Sequence, residues 1–123
     1  MSTQRFYISF DRSYGILSSL LLLRPADSYV EVDDLEVYVK MGWAFRSHFP
    51  KSAIARIEET NKHPLSRGVH GFAGRWLVNG SGQGIVSISL SPTQRGYVMG
   101  FPVRLRQLMV SMNEPAGFIE TLK

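Results

Sequence analysis

The sequence contains no cysteine, and this absence excludes a disulfide framework, thiolate chemistry and a zinc site with cysteine ligands. It also has no long apolar run. The longest, from Ile16 to Leu23, is interrupted by two serines and is far shorter than the ~18 to 20 residues of a membrane-spanning helix. The N-terminal residues alternate polar and apolar side chains instead of forming the apolar region of a secretory signal. We therefore expect a cytoplasmic protein without a transmembrane segment, mature from its first residue.

Residues in the spacing of a catalytic or metal site are also missing from the sequence. The three histidines, His48, His63 and His70, do not share the spacing that would put two of them on one face of a helix. The adjacent Glu58 and Glu59 would point to opposite sides of a strand. We therefore predict no catalytic residue, no metal and no cofactor. An active site would have to be assembled by the fold from distant residues.

A glycine-rich segment from Gly80 to Gly84 invites a phosphate-loop interpretation, because glycines let backbone N–H groups approach an anion. A dinucleotide fingerprint needs a helix after the glycines, whereas the alternating pattern of Ile85 to Leu90 is typical of a strand. Asn79 and Gly80 both tolerate positive φ and lie between two strand-like runs. We predict a hairpin with a flexible, glycine-rich tip at this point.

The composition is that of an ordinary globular protein, with 44% hydrophobic and 20% charged residues in a chain of 123. This length is near the commonest size of one domain, and we expect residues 1–123 to form one. The net charge of +4 is unevenly spread: residues 1–36 carry 6 acids and 3 bases, whereas residues 37–112 carry 10 bases and 2 acids, a balance of +8. A basic middle suits phosphate, an anionic surface or an acidic partner, or it is simply the solvated outer face of strands.

Period-two alternation of apolar residues predicts a protein built mainly of short strands. Arg5 to Phe10 is predicted to be the first strand, and Tyr29 to Val32 and Leu35 to Met41 are predicted to form a hairpin around Asp33 and Asp34. Gly42 is expected to mark a bulge or bend, and Pro50 to end the following strand. The expected inward-facing side chains of this region are Leu35, Val37, Val39, Met41, Trp43, Phe45 and Phe49.

The pattern is less decisive in two other places. Residues 14–23 suit either a buried strand or a short helix, and we favour a strand. Farther along, Pro92 and Thr93 predict a turn, and Pro102 predicts an interruption after a strand from Tyr97 to Phe101.

The last part of the chain predicts a bulged strand and then a helix. Between Val103 and Met112 the apolar parity shifts, and one extra residue near Gln107, a β-bulge, would reconcile the two halves. Asn113 is a good N-cap, and Phe118, Ile119 and Leu122 form an apolar stripe. A helix this short must pack against the sheet to be stable.

Eight or nine short strands and one terminal helix predict a small antiparallel barrel or orthogonal sandwich. The chain resembles the pleckstrin-homology-like domains of bacteria over essentially its whole length, in strand order, in the Pro50-x-Ser52-x-Ile54 entry into a strand and in its terminal helix. The resemblance implies two near-orthogonal sheets with a helix covering one end. The segments GWAF at 42–45 and GRWLVNGSG at 74–82 are also similar to those of small actinobacterial proteins, which implies no function.

The sequence departs from that family at one functional point. Lipid-binding members carry a basic cluster in the loop between the first two strands. Here the corresponding loop, from Asp11 to Tyr14, has only Arg12. We therefore do not expect phosphoinositide recognition at that loop.

The candidate ligand-binding residues are basic side chains of the middle segment: Arg67, His70, Arg75, Arg104 and Arg106. The leading hypothesis is a non-enzymatic binding module that docks a protein partner or an anionic ligand through this segment. A small barrel that encloses an apolar ligand, or an unrecognised active site, is one alternative. A single-stranded nucleic-acid binder, with Tyr38 and Tyr97 beside Arg104 and Arg106, is another. Oligomeric state is left open.

Overall fold

The computed structural model describes residues 3–11, 27–60 and 68–123, and this part of the chain is mainly β. It contains nine strands, one turn of 3₁₀ helix at Lys51–Ala53 and one α-helix. The elements are β1 Gln4–Tyr7, β2 Ser28–Val32, β3 Glu36–Met41, β4 Phe45–Pro50, β5 Ile54–Glu59, β6 Gly68–Phe72, β7 Arg75–Asn79, β8 Ile85–Val98, β9 Phe101–Ser111 and α1 Pro115–Leu122. The predicted fold class, mainly β with one short C-terminal helix, is confirmed. The ambiguous stretch 14–23 lies outside the described residues.

All the strands belong to one curled sheet in the order β1-β2-β3-β4-β8-β9-β7-β6, and β5 pairs with the first half of β8. The curl brings the residues just after β1 against the ends of β9 and β7. There Ile8 bridges to Met112 after β9, and Phe10 bridges to Gly80 after β7. The concave side holds a single core cluster that includes Val30, Phe45 and Leu108.

The β2–β3 hairpin forms as predicted, with Val30 opposite Val39 and Val32 opposite Val37. The prediction for Leu35 is wrong, because this side chain is 69% exposed. Strand β3 begins one residue later, and the carboxylate of Asp33 accepts hydrogen bonds from the N–H groups of Leu35 (2.9 Å) and Glu36 (2.7 Å). These backbone hydrogen bonds hold the pKa of Asp33 below its usual value and keep Leu35 in the turn.

Phe45 and Phe49 are buried as predicted, but Trp43 is 54% exposed. The chain turns immediately before β4: Gly42 adopts a φ of 51°, and the N–H of Ala44 donates to the carbonyl oxygen of Met41. Trp43 therefore lies in the turn between β3 and β4, although its position continues the alternation of β3. The prediction that it belongs to the core is wrong.

The predicted hairpin between β7 and β8 is also wrong. These strands are not neighbours, because β9 lies between them and runs parallel to β7. The hairpin partner of β7 is β6, and Ala73 and Gly74 form their turn with φ values of 54° and 82°. Residues 80–84 are a connection that passes over the end of β9. Asn79 at the end of β7, and Gly80 and Ser81 in the connection, are buried, so this segment is not a flexible tip.

This connection is held by a contact that we call the seam, formed by Ser9, Phe10, Gly80, Ser81 and Ser111. A Cβ on Gly80 would lie 2.5 Å from Cγ of Phe10 and 2.6 Å from the carbonyl oxygen of Ser9, so only glycine fits. The hydroxyls of Ser9 and Ser81 are 2.7 Å apart. The hydroxyl of Ser111 donates to the Ser9 carbonyl oxygen and accepts from the N–H of Gly80. The hydroxyls of the three serines and the N–H of Gly80 are thereby paired at the crossing.

Strands β8 and β9 form a hairpin that turns at Met99 and Gly100. The predicted turn at Pro92 and the predicted interruption at Pro102 are therefore wrong. Residues 90–93 have no partner on β9, and β7 pairs with β9 only from Gln107 onward. The missing N–H of Pro92 therefore leaves no gap in the β8–β9 ladder, and the missing N–H of Pro102 leaves no gap in the β7–β9 ladder.

The bulge near Gln107 is confirmed. The N–H groups of Arg106 and Gln107 both donate to the carbonyl oxygen of Gly74, at 2.7 and 3.1 Å. Because of the extra residue, Leu105 and Leu108 are both fully buried although three positions separate them.

The terminal helix closes one end of the core. Its N-cap is Glu114, not the predicted Asn113, and Pro115 is its first residue. Phe118 is fully buried and meets the ring of Phe6 edge to face, with centroids 5.5 Å apart. Ile119 and Leu122 pack against the same core, as predicted.

Gly80→Ala should destabilise the protein by about 1 to 3 kcal/mol, because the new methyl group would force the backbone of Ser9 and the ring of Phe10 apart. Gly117→Ala in α1 is the control. Its Cβ would meet only Phe6, at 3.9 Å, and alanine should stabilise the helix by about 0.5 to 1 kcal/mol. Urea unfolding measures both, and equal stabilities of the two variants would contradict a tight seam.

Candidate functional site

The structure describes some of the predicted site residues and brings three of them together. Arg67 lies outside the described residues, and His70 is placed by its backbone in β6, opposite Leu77. Arg75 begins β7, and Arg104 and Arg106 lie on β9, all three exposed. The site therefore has to be built from the arginines of β7 and β9.

The bulge in β9 is what places these arginines side by side. The N–H of Arg106 bonds to the carbonyl oxygen of Gly74, and the next residue, Arg75, stands opposite Gln107. Leu105 and Leu108 occupy the core side at this point, so Arg104 and Arg106 are left on the convex side. Strand β7 thus contributes its first residue to the same outer surface.

A fourth arginine, Arg95, is part of this surface, although the sequence analysis did not select it. Arg95 is exposed and lies directly opposite Arg104 in the β8–β9 hairpin. Directly opposite residues of an antiparallel pair have Cα atoms about 4.5 to 5.5 Å apart. We call Arg75, Arg95, Arg104 and Arg106 the arginine face. Correct placement of the hairpin turn at Met99–Gly100 is the signal that would have revealed Arg95.

No carboxylate in the described part of the chain pairs with any arginine of the arginine face. The sequence has no Asp or Glu between Glu59 and Glu114, and β7, β8 and β9 all fall in this interval. Elsewhere the pattern differs: Arg5 bonds to Glu31 at 2.6 Å, and Arg56 bonds to Glu58 at 3.1 Å. The hydrogen bond to Glu31 raises the pKa of Arg5 above its ordinary value. Like charges directly across a pair of strands, such as Arg95 and Arg104, destabilise a sheet.

The basic surface continues from the arginine face across the neighbouring strands. One cross-strand row runs from Tyr29 through Lys40 and Arg46 to Tyr97. The guanidinium of Arg46 lies 4.4 Å from the centroid of the Tyr97 ring, and the ammonium of Lys40 lies 5.9 Å from that of Tyr29. The convex side therefore presents cations and tyrosines together over β2, β3, β4 and β8.

Large apolar side chains are exposed where two turns meet at one end of the sheet. Trp43 is 54% exposed, Met99 58% and Phe101 73%. The turns are adjacent, because the N–H of Met99 donates to the carbonyl oxygen of Ala44 at 2.9 Å. We call Trp43, Met99 and Phe101 the apolar end. An open groove of about 380 Å³ beside it is lined by Asp27, Lys40, Gly42 and Trp43.

Met99 occupies a backbone conformation that does not suit its side chain. Its φ is 49° and that of Gly100 is 85°, the left-handed pair of a two-residue hairpin turn. Asn-Gly and Gly-Gly are the usual residues there, and the left-handed region costs other L-residues roughly 1 to 2 kcal/mol. The fold alone does not favour methionine at this position.

The described residues contain neither a cluster of metal ligands nor a helix that could cross a membrane. No group of three or more histidine, aspartate or glutamate side chains among them could hold a metal ion. No helix in the described ranges is long and apolar enough to span a bilayer. His48, on the convex side of β4, is exposed, with Nε2 3.9 Å from Oε1 of Glu36.

Comparison of the chain with protein-family models, with curated proteins and with solved structures finds no match. The resemblance to pleckstrin-homology-like domains therefore stays a prediction. The arginine face and the apolar end are the features from which a function can be inferred.

Met99→Asn should raise the free energy of unfolding by about 0.5 to 1 kcal/mol, because asparagine tolerates the left-handed region. Phe101→Ser, at the same end and without a positive φ, provides no such relief and is the control. The urea midpoint of each variant measures the effect. A midpoint for Met99→Asn at or below that of the unchanged protein would contradict strain at this turn.

Proposed function

We propose that the protein is a non-enzymatic binding module whose arginine face docks an anionic partner. The observation that carries the proposal is the set of four exposed arginines on three neighbouring strands without a carboxylate partner among the described residues. Guanidinium groups bind carboxylate or phosphate through two parallel hydrogen bonds and are less strongly hydrated than ammonium groups. A surface that holds such groups unpaired is suited to an external anion.

The shape of the surface indicates the size of the partner. Arg75, Arg95 and Arg104 lie on the convex side of the sheet, whereas small-molecule sites are concave and bury most of their ligand. The concave side is occupied by the core cluster, to which α1 contributes Phe118. This packing supports an extended or flat anionic partner over an apolar ligand enclosed in a barrel.

Electrostatics alone would make this interaction weak. An exposed ion pair contributes roughly 0.2 to 1 kcal/mol, so four of them supply at most about 4 kcal/mol, equivalent to a millimolar dissociation constant. Screening at physiological salt acts over about 8 Å and reduces this further. Tight binding therefore needs additional contacts near the arginine face.

Arg104→Gln should weaken binding of a polyanion about two- to fivefold, because it removes one charge from the centre of the arginine face. Arg56→Gln is the matched control, since it removes the same charge from β5, where Arg56 is exposed and paired with Glu58. The probes are oligothymidylate and poly-glutamate, and fluorescence anisotropy at about 50 mM salt gives the affinities.

Binding of either probe should weaken as salt is added, since exposed charge pairs are screened. A preference for oligothymidylate would support the single-stranded nucleic-acid form of the proposal. Equal losses of affinity in Arg104→Gln and Arg56→Gln, or no binding of either probe at low salt, would contradict the proposed function.

A further inference from the structure

The apolar end exposes three large side chains: Trp43 and Met99 come from two turns that contact each other, and Phe101 is the first residue of β9. Tryptophan, phenylalanine and methionine at one exposed end are unusual for a surface that contacts only water. Met99 adds a second, independent observation, because its left-handed φ of 49° would be better served by asparagine or glycine. Strain kept at an exposed position indicates a role outside the fold.

Positive charges lie on the strands just behind this end. Lys40 and Arg46 are each three residues from Trp43, and Arg104 is three residues from Phe101. Along β9, at about 3.3 Å per residue, Arg104 stands about 10 Å behind Phe101. Lys40 and Arg46 are opposite each other, one residue inside the strands that the Trp43 turn joins. Tyr97, opposite Arg46, stands at a similar depth. Proteins that bind an anionic bilayer surface carry their groups in this order: apolar side chains at the tip, then tyrosine and cationic side chains.

The position of Phe101 distinguishes a bilayer from a partner that lies along the arginine face. Phe101 is opposite Val98, which packs against the core, so Phe101 lies on the core side of the hairpin. Arg104 lies on the convex side of the same strand. A nucleic-acid strand on the convex side would contact the arginine and miss the phenylalanine. A lipid surface that takes in the whole end contacts both.

We infer that the apolar end inserts into the headgroup region of an anionic membrane, with Lys40, Arg46, Arg95 and Arg104 on the lipid phosphates. The inference rests on the proposed function, because the lipid phosphates are the anions that Arg95 and Arg104 of the arginine face bind. It uses a surface other than the loop between the first two strands. Asp27 lines the groove beside Lys40 and is the acid that this arrangement leaves near the lipid.

Vesicles of phosphatidylcholine with about 30% phosphatidylglycerol provide the test, with vesicles of phosphatidylcholine alone as the comparison. Cosedimentation of the full chain should show binding to the anionic vesicles that weakens with salt. The emission of Trp43 should shift to shorter wavelength, and brominated lipid should quench it. Trp43→Phe should abolish both signals, because Trp76 is half-buried against the core.

Met99→Asn and Phe101→Ser should each lower the affinity for anionic vesicles at least about fivefold. Met99→Asn is the sharper variant, because it is expected to be more stable than the unchanged protein, so its loss of binding cannot come from misfolding. Leu35→Asn is the matched control, since Leu35 is an equally exposed apolar turn residue, in the turn between β2 and β3. It should bind as the unchanged protein does.

Three results would overturn the inference. The first is unchanged vesicle binding by Met99→Asn and Phe101→Ser. The second is equal binding to neutral and anionic vesicles. The third is a blue shift that appears with rising protein concentration and no lipid, which would mean that a second copy covers the apolar end. If the protein binds oligothymidylate or poly-glutamate through Arg104 but does not bind vesicles, the proposed function is supported and the membrane inference is wrong.

Discussion

The close approach of residues 8–10 to the end of β7 is the contact on which the rest of the structure depends. Because Gly80 has no side chain, the ring of Phe10 lies directly against its backbone, and the hydroxyls of Ser9, Ser81 and Ser111 form hydrogen bonds beside it. The chain then passes over the end of β9 before it enters β8, so β9 lies between β7 and β8. Arg75 meets the bulge of β9, and the arginine face exists, only because of this arrangement.

Features that depend on neighbouring residues were predictable from the sequence. Alternation gave the β2–β3 hairpin and the burial of Phe45 and Phe49, and the shift in parity gave the bulge. Alternation failed at Leu35 and Trp43, because it continues past the ends of strands into turns, where side chains are exposed. Asn79-Gly80 misled for another reason. A glycine serves a turn or a close approach equally well, and which of them applies here depends on Phe10, far away in sequence.

Part of the candidate site was predictable, because some of its residues are neighbours in sequence and others are brought together only by the fold. Arg104 and Arg106 share a strand, so their alternation was visible, whereas Arg95 joins them only through the position of the hairpin turn. The apolar end was missed because its tryptophan was assigned to the core. The arginine face and the apolar end each contain residues that destabilise the fold, because Arg95 lies opposite Arg104 and Met99 is in a left-handed conformation. Local rules are broken most often at functional sites, and here two of them are broken on adjoining surfaces.

The central claim is that partners meet the protein at the apolar end and on the arginine face. An amide NMR map of the full chain, recorded with and without bicelles that contain phosphatidylglycerol, tests it most directly. We predict that the shifted or broadened signals fall in residues 40–46 and 95–106, while those of β5 and α1 remain unchanged. Shifts centred on β5 or α1, or spread evenly over the chain, would contradict the account.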